Sequence, residues 1–169
     1  MQTARNLVGL TMGTIKTGLV KGTTSSLTTT VTSAGLINGK YVSGKTALTN
    51  SAFPTTDIVT GVAFNTLTDN QATVFVVGQK ADSTVVAAQG TIVDTEVGVT
   101  TTAGAFISAP EFPPLPDDFM VWGYVLVRTA PSAGDWLIGT ATTGDWDATG
   151  VTASQFVQCG VLPDRPQTS

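Results

Sequence analysis

Eleven consecutive residues, Phe119–Thr129 (FMVWGYVLVRT), restrict the possible folds of this protein more than any other stretch. They form its longest apolar run and are dense in β-branched and aromatic side chains. As a strand, Phe119, Val121, Gly123, Val125 and Val127 point one way, and Met120, Trp122, Tyr124 and Leu126 the other. Both faces are apolar, so the strand must be covered on both sides, either within a sandwich core or between subunits. The β-branched content, Gly123 in the middle and the proline-rich approach Ala109–Asp118 (APEFPPLPDD) all argue against a helix. Gly123 itself marks a bulge or a close backbone approach.

The remaining sequence repeats the pattern of short strands and turns. Residues 1–22 carry apolar fragments separated by Gly9, Gly13, Gly18 and Gly22, a density a packed helix does not tolerate. They predict an extended arm with one strand, Thr14–Val20, docked on a neighbour. Leu27–Ser33 reads as a half-polar strand. Asn38-Gly39, between Leu36-Ile37 and Lys40-Tyr41-Val42, predicts a type I′ hairpin, because both central residues must accept positive φ. After a loop over 44–57, strands are expected at Ile58–Asn65, Ala72–Gly78, Thr84–Gln89 and Thr91–Asp94, the last two kinked at Gly90. Residues 98–108 are rich in Gly, Thr and Ala and read as loop or edge strand, and Ala153–Gln158 as a helical turn at most. Gly134-Asp135-Trp136 is echoed by Gly144-Asp145-Trp146. The pair reads as two turns of one hairpin, each pinned by its tryptophan, or alternatively as an exposed aromatic pair for a sugar or a partner.

The sum is an all-β protein: an antiparallel β-sandwich or barrel-like domain over 23–162, with an extended N-terminal arm over 1–22 and a tail over 163–169. A sub-lobe boundary falls at 109–118. A length of 169 residues is enough to bury one core without disulfides or metals. No stretch is long and apolar enough for a membrane helix, and MQTARNLVGL lacks the apolar centre of a signal peptide.

Charge and residue chemistry narrow the function. Only 12% of residues are charged, which suits smooth surfaces that pack against copies of themselves. Residues 1–56 hold five cations and no acid, a charge of +5; the remainder sets three cations against twelve acids, a charge of −9. The cations are spread out, so an acidic protein surface is a better partner for them than nucleic acid. With no histidine in the sequence, His-based triads and the usual zinc sites are excluded. Asp117-Asp118 are adjacent on an extended backbone and point apart, so they do not serve one substrate as acid and base. Asp135, Asp145 and Asp147 offer oxygen ligands but lack EF-hand spacing. The lone Cys159, in VQCGV, reads as an inert packed thiol. No catalytic, metal or cofactor residues are assigned.

Several short motifs occur in a telling order: Ile37-Asn38-Gly39-Lys40-x-Val42, Val74–Gly78 (VFVVG), Gln89-Gly90, Pro113–Asp118 followed by Gly123-Tyr124-Val125-x-Val127, Ala148–Thr152 (ATGVT) and Leu162–Pro166 (LPDRP). Over residues 30–166 this order resembles a family of small β-rich virion proteins of tailed bacteriophages, the capsid decoration (cement) or head-fibre kind. The resemblance implies a non-enzymatic protein on the outside of the virion, in the host cytoplasm before assembly, with the major capsid protein as partner. It also implies a homotrimer, and the doubly apolar strand is the expected interface, through Trp122, Tyr124, Val125 and Leu126. Arg5, Lys16 and Lys21 of the arm are the expected capsid contacts. A tail or fibre component that attaches to the host is the alternative, though heptads and collagen-like repeats are missing. A glycan hydrolase lacks a carboxylate pair at workable spacing.

Overall fold

A computed structural model describes residues 10–139 and 144–168. The described part is all-β, with antiparallel sheets packed face to face as in a β-sandwich and no helix among the described residues. In sequence order the strands are β1 (Met12–Gly13), β2 (Val20–Lys21), β3 (Ser26–Thr28), β4 (Ala34–Ile37), β5 (Lys40–Ser43), β6 (Ser51–Ala52), β7 (Gln71–Gln79), β8 (Val85–Gln89), β9 (Val93–Asp94), β10 (Met120–Thr129) and β11 (Val151–Gln158). The main sheet runs β11-β10-β7-β8, with β9 on the same edge of β7 as β8. Two small sheets, β1-β4-β5 and β2-β3-β6, complete the architecture.

The apolar run is β10, and it is covered on both faces by other parts of the same molecule. The expected alternation fails at one point. Between Val121 and Gly123 the register with β7 shifts by one residue, so Trp122 and Gly123 together face Val77. Gly123 supplies no side chain there, and a Cβ on it would lie 2.3 Å from the Val157 carbonyl oxygen. Trp122 therefore takes the place Gly123 leaves empty. One face of the sheet then carries Met120, Trp122, Val125 and Val127, and the other Phe119, Val121, Tyr124 and Leu126. The bulge predicted from Gly123 is present; the simple two-fold split of side chains is not.

The first face holds the larger core. Phe53, Phe64, Phe75, Trp136, Trp146 and Phe156 form a continuous aromatic cluster, with neighbouring ring centroids 5.2–6.2 Å apart. Both tryptophans of the repeated Gly-Asp-Trp motif are buried, which removes the exposed-pair reading. Trp136 Nε1 donates to the Asp145 carbonyl (3.0 Å) and Trp146 Nε1 to the Ser26 carbonyl (2.8 Å), so each ring is pinned by its polar end. The second face is roofed by the proline-rich segment and the C-terminal tail. Phe112 packs on Tyr124 at 5.0 Å, Pro110 and Pro113 are buried, and the Gln167 amide donates to the Tyr124 hydroxyl at 3.1 Å. Residues 109–118 are thus a strap across one core rather than a boundary between lobes, and the tail is docked.

The hairpin at Asn38-Gly39 is as expected, with φ of 50° and 75° and Ile37 paired with Lys40. Elsewhere the predicted elements move. Residues 58–65 form no strand: Asp57 is buried, its carboxylate accepts the Val59 amide (2.8 Å), and its carbonyl accepts the Gly61 amide (2.8 Å), which turns the backbone. Ala153–Gln158 belongs to β11 and not to a helical turn. Of the expected strand Thr14–Val20 only Val20 is in a strand, as the first residue of β2, and of Leu27–Ser33 only Leu27 and Thr28, within β3. The expected arm also changes. Its first nine residues lie outside the described part, but residues 10–22 are built into the domain. Met12 and Gly13 pair with Leu36 and Gly35, the Gly13 amide donates to the Gly160 carbonyl (3.0 Å), and Leu19 is fully buried in the larger core.

Candidate interaction surface

The four residues expected at a trimer interface are placed where a partner does not reach them. Trp122 and Val125 lie in the first core, Tyr124 and Leu126 in the second, and none is more than 3% exposed. The folded protein has no face of β10 left to share. The Trp122 indole also differs from the other two, because its buried Nε1 has no hydrogen-bond partner among the described residues. Of the expected arm contacts, Arg5 lies outside the described residues. Lys16 is exposed. Lys21 forms an ion pair with Asp147, at the rim of a groove of about 550 Å³ between β2 and β11 that is floored by Val20, Trp146, Val151 and Phe156. Both partners are solvent-exposed, so the pair contributes little to stability. Asp117 and Asp118 sit in the turn before β10, where Lys80 approaches Asp118 at 3.9 Å. Asp135, Asp145 and Asp147 form no metal-holding group with other ligands among the described residues. Burial pushes the Cys159 thiol from 9.0 up to about 11, so it stays protonated at neutral pH, in keeping with an inert packed thiol.

The surface that stands out overlaps residues 98–108, a stretch that reads as loop or edge strand in the sequence. Residues 95–107 leave the Gln71 end of β7 and fold back as a narrow ribbon. It is closed by pairing of Thr95 with Phe106 and of Val99 with Thr102, and by the Glu96 amide donating to the Ala105 carbonyl at 2.9 Å. On it Val97, Val99 and Ile107 are 80%, 75% and 68% exposed, which makes them the three most exposed large aliphatic residues among the described residues. Single exposed aliphatics are ordinary; three on thirteen residues are not.

The ribbon is also held firmly. Asn70 accepts the Thr95 amide on its carbonyl (2.8 Å) and the Gly98 amide on its side-chain oxygen (2.9 Å). Arg128 of β10 reaches under it, with its guanidinium 5.0 Å from the Phe106 ring centroid and Nη1 donating to the Gly104 carbonyl at 2.7 Å. Thr100 at the tip adopts a φ of 48°, a costly conformation for a β-branched residue. Its carbonyl accepts both the amide (3.1 Å) and the hydroxyl (2.7 Å) of Ser132, which hold the turn in place. A Cβ at Gly104 would sit 1.8 Å from the Glu96 carbonyl oxygen, so the two limbs come too close for any other residue there. Backbone strain of about 1–3 kcal/mol persists where the surroundings over-determine it, and it collects at functional positions. Apolar side chains are thus left in water on a backbone that is fixed from below, which is how a binding surface is pre-organised.

The signal in the sequence is faint but present: Val97-x-Val99 and Phe106-Ile107 are large apolar residues inside an otherwise small and polar stretch. No family model, no curated protein and no solved structure matches this protein.

Proposed function

We propose that this protein is a structural component of a tailed-phage virion, of the decoration or cement kind. In this reading it binds the outside of the assembled shell as a homotrimer, with the major capsid protein as partner, and works as a binding protein rather than an enzyme. The observation that carries the reading is the rigid ribbon with Val97, Val99 and Ile107 in water. The order of motifs over residues 30–166 and the low charge support it. Because β10 is buried within the molecule, the ribbon replaces it as the surface for association.

A protein of this kind stabilises a shell by mass action. It binds the assembled form and not the separated subunits, so its binding free energy adds to the cost of taking the shell apart. Weak binding suffices when it is repeated over many sites. Virions stripped of the protein are expected to release DNA at lower temperature than intact ones, and adding the purified protein back should restore the difference. Stripped particles as robust as intact ones, but unable to adsorb to cells, would move the protein to host attachment.

A further inference from the structure

We propose that Asn38-Gly39 is a deamidation site, and that the segment Leu10–Gly13 guards it. The sequence contains one Asn-Gly pair, at the tip of the β4–β5 hairpin, with Asn38 exposed to solvent. Glycine leaves the following backbone nitrogen unhindered, so this dipeptide is the one where that nitrogen most readily reaches the asparagine side chain. In the reaction the Gly39 nitrogen gives up its proton to a base of the solvent and bonds to Asn38 Cγ. The bond between Cγ and Nδ2 breaks, and ammonia leaves with a proton from water. The five-membered imide then takes up one water and opens at either carbonyl, giving aspartate or isoaspartate.

Two hydrogen bonds oppose the first step. The Gly39 amide donates to the Leu10 carbonyl at 2.9 Å, so the attacking nitrogen is held with its proton engaged. The Asn38 amide donates to Thr11 Oγ1 at 3.1 Å, and that hydroxyl in turn donates to the Asp117 carbonyl at 2.6 Å. Thr11 thus ties the turn to the segment that leads into β10. The clamp itself is short: β1 pairs with β4 through two residues, Met12 with Leu36 and Gly13 with Gly35. A two-residue strand opens far more often than the core does. Each opening frees the Gly39 nitrogen, and a completed reaction is one-way. Isoaspartate adds an atom to the backbone of a two-residue turn whose geometry admits no such insertion, and either product puts a carboxylate two residues from Lys40. The turn therefore records how long the N-terminal segment has spent undocked. None of this depends on a decoration role.

The test follows mass gain at Asn38 in the full-length protein, in mildly alkaline buffer with and without urea. Asn50-Ser51 serves as the reference, because it is also exposed at positive φ but is not touched by β1. In the folded protein Asn38 is expected to react at least about tenfold more slowly than in urea, the factor for a segment open one-tenth of the time. Thr11→Ala removes both hydrogen bonds of that hydroxyl and should speed Asn38 alone by about fivefold or more, while Thr11→Ser should not. Equal rates for folded and unfolded wild type overturn the guard. Thr11→Ala speeding Asn38 and Asn50 alike also overturns it, since the route would then be global unfolding.

Discussion

Two apolar segments of this protein meet opposite fates. Met120–Thr129 is the most hydrophobic stretch in the sequence, yet both its faces vanish into the interior. Residues 95–107 are small and polar by comparison, yet three large aliphatic side chains on them stand in water. The difference lies in what each backbone is paired with. Strand β10 has a strand on either side and a core on either face, so its side chains have somewhere to go. The ribbon is anchored from beneath by Asn70, Arg128 and Ser132, and nothing among the described residues covers Val97, Val99 or Ile107. Hydrophobicity along the sequence therefore locates the core. An interaction surface is better located by apolar residues that the fold leaves out while fixing their backbone.

Trp122 is where the contrast between the two segments is most exposed to refutation. If the ring belongs to the core, Trp122→Ala costs about 3–5 kcal/mol of folding stability, as truncations of large buried aromatics do. Urea denaturation of the variant reads this directly. A variant that keeps wild-type stability and loses only self-association would restore β10 as an interface.

A smaller effect is expected in the ribbon's own frame. Gly104→Ala forces a methyl group against the Glu96 carbonyl, and the limbs must spread. The loss of stability should be about 1–3 kcal/mol, the usual range for forced overpacking. Exchange of the Glu96 and Val99 amides with solvent should rise more than that of the β7 amides, because the damage stays in the ribbon. Equal acceleration in both regions would show that the ribbon and the main sheet open together.

Much of the fold was legible in the residues. The Asn-Gly turn, the strands at 72–78, 84–89 and 119–129, the kink at Gly90 and the bulge at Gly123 all follow from local chemistry that tertiary structure did not overrule. The losses have specific causes. Residues 58–65 look like a strand, but Asp57 turns its carboxylate onto the Val59 amide and makes a turn. Ala153–Gln158 is ambiguous alone, and becomes a strand because β10 offers it an edge. The N-terminal segment suggests a strand at Thr14–Val20, yet the residues that pair with β4 are Met12 and Gly13, because such pairing needs only two residues. The candidate surface was the least legible part. Exposure is set by how the whole molecule packs, and a Val-x-Val in a Gly/Thr-rich loop looks the same whether or not anything covers it. The same reason misplaced the interface on Trp122, Tyr124, Val125 and Leu126: a doubly apolar strand says that both faces are covered, and not by whom.

The smallest expected change in stability carries the most weight. Replacing Val97, Val99 and Ile107 together with serine removes side chains that touch little of the rest of the protein, so folding stability should move by no more than about 0.5 kcal/mol. Sedimentation velocity of this triple variant beside the wild type, at micromolar concentration, separates folding from association. The expected result is a trimer for the wild type and a folded monomer for the variant. A wild-type monomer, or a triple variant that sediments as the wild-type trimer does, would contradict the assignment of association to the ribbon.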